Sequence, residues 1–167
     1  MFESFFPKPR IFFITLVIWT GVAIALWYSY GQNLGSALGF TFREDASTVI
    51  GLGHFITPEF LWFDLYYLLV TAIFAAFWFS YSPNRWQNWS ILGSSLIVFM
   101  AYLTVQVSVV INAWYGPFYN DIQKALGGES DVTAAVLYGH LLSFCIIVFP
   151  YIAFIILKSF FVSHYIF

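Results

Sequence analysis

Four apolar runs constrain this chain more than anything else in it. About 20 residues of helix are what a backbone needs to cross the ~30 Å hydrocarbon core of a bilayer. The runs are Ile11–Tyr30, Phe60–Tyr81, Ile91–Ile111 and Ala134–Leu157. The first has no charged residue, the second has only Asp64, and the third has Gln106 as its one strongly polar side chain. The fourth carries His140 near its start and Pro150 in its interior, where the lost donor to the Ile146 carbonyl predicts a kink. Composition points the same way: 61% of the 167 residues are hydrophobic and 8% charged, whereas a soluble domain carries roughly 25% charged residues. The expected fold is an all-α integral membrane protein with four transmembrane helices, about 11–30, 60–81, 91–111 and 134–157, undivided by linker or repeat.

Lys8 and Arg10 precede the first run, and Ala23 and Ala25 lie within it, as in a secretory leader. The apolar stretch continues through Leu26, Trp27 and Tyr28, beyond the ~7–15 residues of a leader's apolar region, so a retained span is expected. Net charge is −2 with no basic run, which argues against a nucleic-acid partner. The single cysteine, Cys145, allows no intrachain disulfide and reads as a small buried hydrophobe. A phosphate-binding glycine loop, a His-Glu-x-x-His helix and a nucleophile elbow are all absent from the sequence. No catalytic residue, metal site or cofactor is predicted.

Short cytoplasmic loops retain Lys and Arg, which sets orientation. With four spans both ends share one side, holding Lys8, Arg10, Arg85 and Lys158 against Glu3. The other side holds Arg43 and Lys124 against Glu44, Asp45, Glu59, Asp121, Glu129 and Asp131. The basic side is expected to be the cytoplasm, with Trp86 and Trp89 anchoring the inner interface. Thr57 before Pro58 predicts a capped helix start, and Glu59 suits the positive end of the helix dipole. Gly116 and Pro117 are expected to end the third helix, with a short amphipathic helix following on Phe118, Ile122, Ala125 and Leu126. The Gly-, Ser- and Thr-rich stretch Gly31–Gly53 is expected to be a mobile loop.

Polar side chains inside a bilayer are costly and usually face a cavity or a partner helix. At 1.5 Å per residue, Asp64 lies ~6 Å, Gln106 ~8 Å and His140 ~9 Å from the outer ends of their spans. If those helices adjoin, the three form one polar cluster in which Asp64 and His140 exchange protons. The alternative is a solvated Asp64 near the boundary and a His140 that is a hydrogen-bonded packing residue. The stretch Asn112-Ala-Trp-Tyr-Gly-Pro-Phe-Tyr-Asn-Asp-Ile-Gln123 also has two readings. Asn112, Trp114, Tyr115, Phe118 and Tyr119 either line an outward mouth that contacts peptides or form an interfacial aromatic belt.

Four segments carry a family likeness: Phe5-Phe-Pro-Lys-Pro9, Phe77-Trp-Phe-Ser-Tyr-Ser-Pro-Asn-Arg-Trp-Gln-Asn-Trp-Ser-Ile-Leu-Gly93, Asn112-Ala-Trp-Tyr-Gly-Pro-Phe-Tyr119 and Phe160-Phe-Val-Ser-His-Tyr-Ile-Phe167. In this order they resemble SbmA/BacA proteins, the middle two most specifically. The resemblance implies the N-terminal part of a transmembrane domain similar to that of ABC exporters, without an ATPase domain. It also implies a homodimeric inner-membrane importer of Gram-negative bacteria, driven by the proton gradient. Its substrates would be proline-rich antimicrobial peptides and peptide-derived antibiotics such as microcins and bleomycin. Family members run to roughly twice this length, so a fragment is expected, with most of the family's proton-coupling acids lying beyond Phe167. No coupling residue is carried over for that reason, and Gln106, neutral where some relatives carry an acid, weakens the proton cluster of Asp64, Gln106 and His140. A different class of reading is a membrane subunit or assembly factor without transport activity, in which small residues such as Gly93, Ser94 and Ser95 serve helix packing.

Overall fold

A computed structural model of the chain describes residues 8–43, 49–128 and 132–165. Glu3, Phe5, Phe6, Pro7, Glu44, Asp45, Glu129, Asp131, Ile166 and Phe167, invoked above, lie outside the described residues. All regular structure among the described residues is helical. Helix α1 spans Pro9–Ala37, a 3-10 turn spans Leu52–Ile56, and α2 spans Pro58–Tyr81. A π-helical turn, Asn88–Gly93, runs into α3, Ser94–Leu126, and α4 spans Ala134–Tyr165. Four stretches are long and apolar enough to cross a membrane: Pro9–Gly31, Pro58–Tyr81, Asn88–Leu126 and Ala134–Phe160. Large apolar side chains such as Val17, Leu68, Leu142, Phe149 and Leu157 are exposed, a surface suited to lipid rather than to water.

Two expected boundaries are overturned. Helix α1 does not stop at Tyr30 but continues through Gly31 to Ala37. The glycines there are points of close approach, not terminators. The Gly31 carbonyl accepts the Trp62 indole N–H at 2.8 Å, and a Cβ on Gly35 would meet the Phe42 ring and lie 3.0 Å from Trp62 Nε1. The helix ends one turn later, where Gly39 takes φ +93°. There the Phe40 N–H bonds the Gly35 carbonyl at 3.0 Å and the Gly39 N–H bonds Ser36 at 3.1 Å. This pair of bonds around a left-handed glycine satisfies carbonyls that the helix end leaves free. A Gly39→Ala variant meets no steric obstacle but must hold a left-handed backbone. It is expected to cost ~1 kcal/mol, read as a lower SDS midpoint in mixed-micelle unfolding.

The second overturned boundary is in the third helix, which does not break at Gly116 and Pro117. Helix α3 runs unbroken to Leu126 with Pro117 inside it, so the separate amphipathic helix does not exist. The start of α2 matches expectation: Thr57 Oγ1 accepts the Phe60 N–H at 3.3 Å, and Pro58 occupies the first turn. Helix α4 passes through Pro150.

The chain falls into two compact units. One gathers the described residues before 44 with Thr57–Phe99; the other gathers 49–56 with the described residues from Met100 onward. In the first, α1 and α2 lie antiparallel and are tied by side-chain bonds to backbone carbonyls. Trp19 Nε1 donates to Val70 at 3.2 Å, Tyr66 OH to Ala23 at 2.7 Å, and Trp62 to Gly31. Helical carbonyls have a second lone pair for such bonds. Tyr67 OH donates to the Ser95 carbonyl at 2.8 Å, and Thr71 Oγ1 lies 3.2 Å from Ser95 Oγ, binding α2 to the start of α3. Phe12, Phe74, Ala75, Trp78 and Ile91 form the buried core beneath them. In the second unit the core is Val107, Val110 and Ile147, flanked by Phe55, Ile111 and Tyr151.

Candidate functional site

The distinctive stretch 112–123 is the far end of α3 and packs against the start of α4 within the second unit. Carrying a helix through Pro117 forfeits the donor to the Ala113 carbonyl and costs ~3 kcal/mol. Packing on one face offsets this. Residues 107, 110, 114, 118 and 121 recur at helical spacing, and Val110 and Trp114 are buried at 0% and 4% exposure. The Trp114 indole donates to the His140 carbonyl at 2.9 Å. Its ring stacks on Phe118 at 4.5 Å between centroids and lies 4.7 Å from Phe144. Each such aromatic pair contributes ~0.5–1.5 kcal/mol beyond area burial.

The five pathway candidates therefore divide by face. Trp114 and Phe118 are turned into the helix packing. Asn112, Tyr115 and Tyr119 are exposed, and the two tyrosine rings stack at 5.8 Å with 22° between their planes. The exposed stripe continues through Asn120 and Gln123. It offers phenol and amide groups that both donate and accept, the hydrogen-bonding repertoire of a peptide backbone.

Of the three polar candidates, His140 and Gln106 find individual partners. His140 Nε2 lies 2.8 Å from Asp121 Oδ2, with both side chains about one-fifth exposed at 22% and 23%. A carboxylate oxygen accepts, so Nε2 carries the hydrogen. Phe118 sits edge-on to the imidazole at 6.1 Å. The carboxylate beside His140 is thus Asp121, where the sequence alone directed attention to Asp64. Gln106 Oε1 lies 2.9 Å from His54 Nε2, a residue of the 3-10 turn. Asp64 belongs to the first unit, and its Oδ1 is buried with no hydrogen-bond partner.

Asp121 and His54 were not singled out from the sequence. Asp121 was legible in principle: it follows Trp114 and Phe118 at i+7 and i+3, a spacing that carries meaning only if the helix survives Pro117. For His54 no pattern was available, because it meets Gln106 across 52 positions of chain. Among the described residues, no group of three or more His, Cys, Asp or Glu gathers to hold a metal ion.

Four helices long and apolar enough to cross a membrane, with His140 of α4 bonded to Asp121 of α3, are the features of a multi-pass membrane protein. A family model described as the SbmA/BacA-like family matches residues 83–167, just over half of the chain, and the chain belongs to that family. It is a family of membrane peptide transporters. The matched segment contains the π-helical turn, α3 and α4, and with them every candidate residue except His54 and Asp64.

Proposed function

We propose that this chain is the N-terminal part of an inner-membrane peptide importer, with both ends in the cytoplasm and the exposed Asn112, Tyr115 and Tyr119 contacting the peptide. The observation that carries the reading is this stripe, placed on a helix inside the family-matched segment. Its substrates are peptides and peptide-derived antibiotics, including proline-rich peptides, microcins and bleomycin-like compounds. The full-length protein works as a homodimer driven by the proton gradient, on a transmembrane domain like that of ABC exporters but without an ATPase domain. Protons are taken up at the His140–Asp121 pair and at Asp64, whose buried oxygen lacks a donor, while Gln106 bonds His54.

The test is uptake of a fluorescent proline-rich peptide by cells lacking their own transporter. This chain is compared with a version extended to full family length, with and without an uncoupler. Uptake by the extended form, abolished by the uncoupler, is expected. In that form Asp64→Asn, which is isosteric and cannot ionise, is expected to lower uncoupler-sensitive uptake about 100-fold or more, the scale of one lost proton-transfer group. Unchanged uptake removes Asp64 from the mechanism.

A second reading, a membrane subunit or assembly factor without transport activity, is favoured by one observation. The hydroxyls of Ser95, Thr71 and Tyr67 are engaged with one another between α2 and α3, a use of polar residues for helix packing. No uptake by either form, both correctly inserted, selects this reading.

A further inference from the structure

A cleft of about 730 Å³ opens inside the first unit between α1, α2 and the start of α3. Along α1 it runs from Phe12 to Tyr28, about 24 Å at the helical rise and most of the depth of the hydrocarbon core. No charged residue lines it. Most of the hydroxyls along its wall are already engaged: Tyr66 with the Ala23 carbonyl, Tyr67 and Thr71 with Ser95, and Ser90 with the Trp86 carbonyl. A peptide backbone placed there would leave most of its hydrogen-bonding groups without replacement, whereas a hydrocarbon chain loses none.

The two ends of the unit differ in charge. At the Phe12 end stand Lys8, Arg10 and Arg85, and no acidic residue among those described. Lys8 caps α1 one turn before Phe12, with its ammonium 4.6 Å from the centre of the Tyr81 ring. Arg10 and Arg85 are exposed, as are Trp86 and Trp89 beside them. The acids Glu59 and Asp64 lie at the other end with Arg43.

We propose that the cleft holds one acyl chain of an anionic phospholipid whose phosphate is bound by Lys8, Arg10 and Arg85. The slot sets the chain's length and path, and the three cations select the headgroup, because basic residues at a membrane surface attract anionic lipid. The inference is independent of transport and concerns the unit that the peptide-contacting stripe does not occupy.

Native mass spectrometry of the 167-residue chain, released from detergent micelles carrying phosphatidylglycerol or phosphatidylcholine with identical acyl chains, tests it. Retention of phosphatidylglycerol is expected to exceed that of phosphatidylcholine about tenfold. The double variant Arg10→Gln/Arg85→Gln, altered only at exposed positions, is expected to erase the preference while leaving helix content unchanged. Thr20→Phe, which fills the cleft, is expected to reduce retention of both lipids. Equal retention of the two lipids by the native chain overturns the proposal, as does full retention by a natively helical Thr20→Phe variant. Displacement of the lipid by a second copy of the chain, or by added proline-rich peptide, also overturns it and assigns the cleft to that occupant.

Discussion

Replacing Trp114 with alanine is expected to lower unfolding stability in mixed micelles by about 3–5 kcal/mol, the usual loss for a buried aromatic. Replacing Tyr115 with alanine is expected to cost less than about 1 kcal/mol. The two residues are neighbours in sequence and alike in chemistry, and the structure separates them completely. Trp114 is 4% exposed, stacks on Phe118, packs against the tilted Phe144 ring, and bonds the His140 carbonyl, while Tyr115 is 42% exposed. In the full-length protein the order is expected to invert for peptide recognition. Tyr115→Ala, with native stability, should raise the half-saturating peptide concentration several-fold, since one lost contact of ~1 kcal/mol corresponds to about fivefold. Loss of stability on replacing Tyr115, or unchanged recognition in a stable variant, removes the exposed stripe from the pathway.

The second large effect is expected at Trp78, the most buried large side chain of the first unit at 2% exposure. Trp78→Ala removes contacts with Phe12 and Tyr81 at ring separations of 5.1 and 5.6 Å and is expected to cost about 3–5 kcal/mol. Trp78→Phe is expected to cost far less, within about 1 kcal/mol, because the indole nitrogen of Trp78 is buried without a partner and its removal relieves that penalty. Trp62 supplies the contrast. Its indole donates to Gly31 at 2.8 Å, so Trp62→Phe forfeits a made bond and is expected to cost about 1 kcal/mol beyond the packing change. Equal SDS midpoints for the two Trp→Phe variants would contradict the assignment of these two nitrogens.

The spans were legible because length and apolarity are summed over some twenty residues, so one ambiguous position changes little. The Thr57–Pro58 start was legible for a different reason: capping is a local bond within four residues. The ends of α1 and α3 were misread for one shared reason. Glycine and proline weaken a helix by a known local amount, and whether it breaks depends on neighbours distant in sequence. At Gly31 and Gly35 those neighbours are Trp62 and Phe42, and at Pro117 they are His140 and Phe144. Breaking α3 at Pro117 also hid the site, since it disconnected Trp114 from Phe118 and Asp121.

By itself the sequence determined the apolar character, the number of segments long and apolar enough to cross a membrane and the family likeness, because composition, apolar length and motif order are properties of the chain read in line. Only the tertiary structure decided which imidazole meets which partner. His140 bonds Asp121 and His54 bonds Gln106 across 19 and 52 residues, and depth along a helix gives no information about the angle at which a side chain leaves it. The same limit applied to the aromatic stretch. Residue type made Trp114, Tyr115, Phe118 and Tyr119 equivalent candidates, and the rotation of α3 against α4 turned two of them into packing and left two exposed.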